Sequence, residues 1–155
     1  MLALSARLPK VMLVTKFDAL TWFSHLTEDT RVALLADPAG TLPDAQAREV
    51  RTWPDSLDGD DLRPEAVKFL TEERFRLEEW WNGLAADVRS QLINGRHTGF
   101  PEVLESVGHD AGGVLGSQAR RDDGTWSPRT LTLFTVGTAF LEMKARHTDV
   151  HSELA

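Results

Sequence analysis

Between Pro64 and Asn82 the apolar residues keep a helical rhythm. Val67, Leu70, Leu77, Trp81 and Leu84 follow at three-, four- and seven-residue steps, one stripe of a helix, while Glu72, Glu73, Arg76 and Glu79 lie largely off it. Pro64 suits a first helical turn, where its missing N–H would be unpaired anyway, and Asp60 and Asp61 precede it as capping candidates. Asn82-Gly83 supplies residues that tolerate a left-handed C-cap. The spacing predicts a helix over Pro64–Asn82 and a second over about Ala85 to Ile93, stopped by Asn94-Gly95. The turn Arg96-His97-Thr98-Gly99 then leads to Phe100-Pro101 and a short helix ending near Val107. Four glycines between Gly108 and Gly116 read as a loop, and Asp122-Asp123-Gly124 reads as a turn.

Residues 129–147 admit two readings. Thr130 to Thr135 alternates like a strand, with Leu131 and Leu133 on one face. Leu131, Phe134, Thr138, Leu141 and Ala145 also form a helical stripe after the helix-starting pair Ser127-Pro128. Gly137 costs a helix about 1 kcal/mol relative to alanine. A lone strand would have no obvious partner, so helix is the favoured reading.

A 58-residue shift aligns two stretches without a gap. Lys10, Phe17, Trp22, Leu26, Asp29, Arg31, Leu34 and Pro43 meet Lys68, Phe75, Trp80, Leu84, Asp87, Arg89, Leu92 and Pro101. Each stretch reads as a helix ending in an aromatic pair (Trp22-Phe23 or Trp80-Trp81), a second helix with an acid in its first turn, where the helix dipole favours it, and a third opened by Pro43-Asp44 or Pro101-Glu102. The resulting expectation is an all-α fold: a compact bundle of about six to seven helices, from two pseudo-repeated three-helix units plus a C-terminal helix. One domain spans residues 1–155, with units at 10–51 and 68–108 and a C-terminal segment at 114–155. The aromatic pairs are expected to fill a shared core.

Composition narrows the chemistry. A chain of 155 residues buries enough surface to fold without disulfides or metals. It has no cysteine, which removes disulfides, thiolate zinc sites and cysteine nucleophiles and fits a reducing compartment. The run Val11-Met12-Leu13-Val14 is too short for a signal peptide, and nothing approaches a membrane span, so the expected location is cytoplasmic. A net charge of −7 disfavours non-specific nucleic-acid binding. Arginine outnumbers lysine 13 to 4, which GC-rich coding explains as readily as a preference for bidentate contacts.

No catalytic motif emerges. His147 and His151 stand one helical turn apart, as a zinc pair would, but the residues between them lack the glutamate of the metalloprotease pattern, and capping of a helix end accounts for them. The acids around Gly59 have the wrong spacing for a calcium loop. Gly112-Gly113 and Gly116 are not followed by a P-loop lysine, and Ser117 and Ser127 lack a nucleophile elbow. The three-helix unit has the outline of a helix-turn-helix, with Arg48 and Arg51 on its third helix as candidate nucleic-acid contacts, but Asp44 and Glu49 offset them.

The expected function is therefore a non-enzymatic helical protein–protein interaction module: an adaptor, an inhibitor or immunity-type protein, or an assembly subunit. It would need no cofactor or metal and would bind another protein or a second copy of itself. A helix-turn-helix-like DNA-binding regulator and a metal-dependent helical enzyme using His147, His151 and acids are the alternatives. Tryptophan and arginine are the usual anchors of interfaces. Trp53, Phe100, Arg120, Arg121 and Trp126, which lie outside the shared pattern or in its loops, are the candidate protein-binding residues.

Overall fold

The computed structural model describes residues 17–154, with side chains described for residues 17–147. The Val11–Val14 run, Lys10 of the first stretch and the side chain of His151 lie outside those bounds. The described chain contains helices α1 (Ala19–Ser24), α2 (Glu28–Ala36), α3 (Asp44–Arg51), α4 (Pro64–Asn82), α5 (Ala86–Asn94), α6 (Glu105–Asp110) and α7 (Thr135–Leu154). Strands β1 (Leu57–Asp58) and β2 (Asp61–Leu62) pair with each other, and β3 (Phe100–Pro101), β4 (Val114–Ser117) and β5 (Thr130–Leu133) form a second sheet. Short 3₁₀ turns cover Pro54–Ser56 and Glu102–Leu104.

The fold is mixed α/β, which corrects the all-α expectation: 58% of it is helical, beside five strands in two small antiparallel sheets. The difference lies first at residues 129–147, which are strand and then helix. Thr130–Leu133 has the partners that a lone strand would lack. One is Phe100–Pro101, read as a lead-in to a helix, and the other is Val114–Ser117, read as glycine loop. Glycine content hid β4, because glycine weakens strand propensity without forbidding the extended backbone. Gly108 is also not loop but sits buried in α6, with Val114 packed where a Cβ would be.

Gly137 lies in the first turn of α7. An added Cβ there would come within 2.8 Å of Leu133 Cδ1 and 2.9 Å of its Cβ, so the missing side chain lets the helix fold straight back onto the strand that feeds it. Helix α7 then runs through the middle of the molecule and packs on α1, α2, α4 and α5. Phe140 and Leu141 of α7 are fully buried with Phe23, Leu34 and Leu35 from the first stretch and Leu77, Leu92 and Phe100 from the second. No helix among the described residues is long and apolar enough to cross a membrane.

Helix α4 has the predicted limits, and α2 and α5 have the same length 58 residues apart. The local bonding also corresponds. Arg31 Nε donates to Phe23 O at 3.1 Å, and Arg89 Nε donates to Trp81 O at 3.0 Å. In each case an arginine of the second helix adds a side-chain bond to a terminal carbonyl of the first that also accepts from the backbone, from Leu26 N at 3.2 Å and from Leu84 N at 3.1 Å. The third elements diverge. Pro43 opens α3 directly, whereas Pro101 ends β3 and leads through a 3₁₀ turn into α6. Two capping expectations also fail. Asp60 and Asp61 form the β1–β2 turn and β2 rather than an N-cap, the cap of α4 being Arg63, and Gly83 keeps right-handed geometry at φ −84°.

Candidate protein-binding site

Strands β4 and β5 continue past the sheet as a hairpin arm. Ser127 N donates to Ala119 O at 2.7 Å, Arg120 bridges Trp126, and Arg121 N donates to Thr125 O at 2.7 Å. The turn at the tip is the predicted Asp122-Asp123-Gly124. Gly124 takes φ +89°, and Asp123 Oδ1 accepts from Thr125 N at 2.9 Å and from Thr125 Oγ1 at 2.6 Å. Those two bonds hold the Asp123 carboxyl below its ordinary range.

The arm carries a bulge. Gln118 and Ala119 separate Ser117 from Arg120, while Ser127, Pro128 and Arg129 separate Trp126 from Thr130, so the second arm has one residue more. Pro128 belongs there because it has no N–H to give a ladder. The base of the arm is fixed by Arg129, which lies over Gly116 and pairs with Glu105 at 3.1 Å and Glu102 at 3.4 Å.

Three of the five candidate contact residues come together on this arm. Trp126 is 56% exposed, and the Arg120 guanidinium stands over its ring at 5.7 Å, a cation–π arrangement. Arg121 is exposed beside them at the tip. Strand β4 is an edge of its sheet, with Leu115 facing solvent. Trp53 lies elsewhere, 37% exposed, at the end of α3 with its ring 5.4 Å from that of His25. Phe100 must be withdrawn as a contact residue. It is 1% exposed because its β3 position pairs with Leu131 and faces the core.

Arg48 and Arg51 are exposed in the last turn of α3. Residues 37–43 separate α2 from α3, a longer connection than the three or four residues of a helix-turn-helix. Glu49, between the two arginines, instead turns inward and caps α2. It accepts from Thr27 N at 2.6 Å, Thr27 Oγ1 at 2.7 Å and Thr30 Oγ1 at 2.6 Å.

A charged network was not foreseen. Glu142 is buried on α7, 8% exposed, where Oε1 accepts from Arg96 Nε at 2.7 Å and Oε2 from Arg146 Nε at 2.7 Å. Burial pushes its carboxyl up, but the hydrogen bonds from Arg146 and Arg96 outweigh this and hold it below the usual carboxylate range. Arg146 also reaches Asp29 at 2.6 Å, and His97 Nε2 lies 2.8 Å from Glu28 and 3.7 Å from Glu142. The loop that presents Arg96 and His97 depends on close backbone approach. Gly99 N donates to Gly95 O at 2.7 Å, and a Cβ on Gly95 would meet Gly99 O at 2.3 Å. The sequence signal for Glu142 was available: it is a single acid inside the apolar run Phe140-Leu141-Glu142-Met143.

Glu28, His97 and Glu142 bring their ligand atoms within 4.8 Å of one another, compact enough to weigh as a cation site. The donor set argues against that role. Each Glu142 oxygen is already engaged by a guanidinium, so a cation there would face two arginines. The arrangement joins the start of α2, the loop after α5 and the middle of α7 by charge. His147 is exposed near the end of the described side chains. No protein family, curated protein or solved structure matches the chain.

Proposed function

We propose that the chain is a protein-binding module that engages its partner through the β4–β5 arm, with Trp126 as the anchor and Arg120 and Arg121 beside it. The observation that carries this reading is the exposure of Trp126 on an arm that the core does not use. Tryptophan and arginine dominate interface hot spots, and here the two are pre-stacked, which lowers the ordering cost on binding. The open edge of β4 adds backbone donors and acceptors that a partner strand can pair with. An adaptor, an inhibitor or an assembly subunit is the class of protein this surface suits, and the cytoplasm is the location we propose, in keeping with the cysteine-free sequence.

The test compares immobilised wild type, Trp126→Ala and Trp53→Ala in native lysate, each first shown to melt like the wild type. A protein retained by wild type and Trp53→Ala and lost from Trp126→Ala is the expected result. Equal retention by all three, or none by the wild type, overturns the reading.

A further inference from the structure

A cleft of about 530 Å³ opens on the side of the molecule built by α3, the β1–β2 hairpin, the loop 38–42 and α4. That volume falls within the range of small-molecule sites, roughly 300–1,000 Å³. Its walls are apolar where the elements meet: Val50 from α3, Leu57 and Leu62 from the hairpin and Val67 from α4. Three charges line it as well. Arg51 comes from the last turn of α3, Asp60 from the β1–β2 turn and Asp61 from the start of β2.

The fold leaves these three charges uncommitted, unlike the arginines that tie its elements together. Arg31, Arg63, Arg74, Arg76, Arg96 and Arg129 are all committed to carbonyls or carboxylates. Among the described residues, Arg51, Asp60 and Asp61 have no side-chain hydrogen bond or ion pair, with each other or with any neighbour. A cation and two anions therefore line one concave surface, beside its apolar side chains, without neutralising one another. Such a surface is complementary to a molecule that carries the opposite charges on an apolar frame. An arginine fork recognises a carboxylate by two parallel hydrogen bonds, and a pair of carboxylates recognises an ammonium.

We propose that this cleft binds a small zwitterion with an apolar body, an α-amino acid or a di- or tripeptide, its carboxylate on Arg51 and its ammonium on Asp60 and Asp61. The apolar side chain lies against Val50, Leu57, Leu62 and Val67. Binding here is independent of the arm, which is built from other elements.

The experiment is an amide-resolved NMR titration of the full chain with L-leucine and with the dipeptide Leu-Leu, which separates the two sources of the same chemistry. Leucinamide, which lacks the carboxylate, and 4-methylpentanoate, which lacks the ammonium, are the controls. At least one zwitterion is expected to give saturable shifts confined to the cleft, with a midpoint at or below about 1 mM. Each control and each of Arg51→Gln and Asp61→Asn is expected to weaken binding tenfold or more. Neither substituted side chain holds a hydrogen bond or ion pair, so both variants are expected to melt like the wild type. The absence of saturable shifts from both zwitterions at about 20 mM overturns the proposal, as does binding that Arg51→Gln leaves unchanged.

Discussion

The two indoles that open the aromatic pairs occupy equivalent positions, 58 residues apart, yet their N–H groups fare differently. Trp80 Nε1 donates to Val107 O at 2.9 Å, whereas the buried Trp22 Nε1 has no acceptor among the described residues. A buried donor gains about 1 kcal/mol when paired and costs about 1–3 kcal/mol when orphaned. Trp80→Phe is therefore expected to destabilise more than Trp22→Phe, by about 1 kcal/mol or more, in urea melts of the two variants. Glu142 is the other residue with a large individual effect. Breaking a buried ion pair typically costs about 3–5 kcal/mol, and Glu142→Gln leaves Arg96 and Arg146 facing a neutral amide. The sign with pH follows from its depressed carboxyl. Its stabilisation is fully present above the unfolded-state value of about 4.3 and is lost as pH falls through the lower folded-state value. Wild-type melts are expected to lose stability below about pH 4, and Glu142→Gln is expected to flatten that limb. A limb of equal slope in both proteins would remove Glu142 from the account.

At the scale of elements, local rules work where the backbone has no unusual neighbour and fail where two elements touch closely. Helix α4 was legible residue by residue because a long amphipathic stripe needs only its own period. The turn at Asp122-Asp123-Gly124 was legible for a similar reason, since its bonds are local. Strand β4 was not, because the glycine within it and the one just before it answer to what lies across from them: Arg129 over Gly116 and Phe134 over Gly113. By helix propensity alone Gly137 is a weak point of a helix, and the structure makes it the contact point between α7 and β5. That reversal predicts the sign of a substitution. Helix propensity alone favours Gly137→Ala by about 1 kcal/mol, but the added Cβ would press on Leu133, so a net loss of about 1–2 kcal/mol is expected in thermal melts. A gain in stability would show that α7 and β5 can slide apart. Of the candidate site, the sequence nominated Arg120, Arg121 and Trp126 through their types and a turn signal, but their stacking depends on a bulged pairing that no local pattern encodes. Phe100 was misplaced for the converse reason. An aromatic beside proline after a glycine turn looks exposed until its strand partner, Leu131, is known.

For the molecule as a whole, the order of elements along the chain matters as much as their packing. The first stretch and the second each present an apolar face, and α7, from the far end of the described chain, fills the space between them. Its Arg146 meets Asp29 across 117 positions, and its Lys144 meets Glu78 across 66. A chain ended after Phe134 is expected to lose cooperative unfolding and to expose Phe23, Leu34 and Leu92 to a hydrophobic dye, whereas a sharp melt in that shortened chain would show that the two stretches close without α7. The same placement has a consequence during synthesis. While the ribosome is still making residues before Thr135, the emerged helices have apolar faces that α7 does not yet cover, so the nascent chain depends on chaperones or on speed until α7 has emerged. A pause in translation upstream of that helix would then lower the yield of folded protein more than the same pause placed earlier, where little of either face has yet been made.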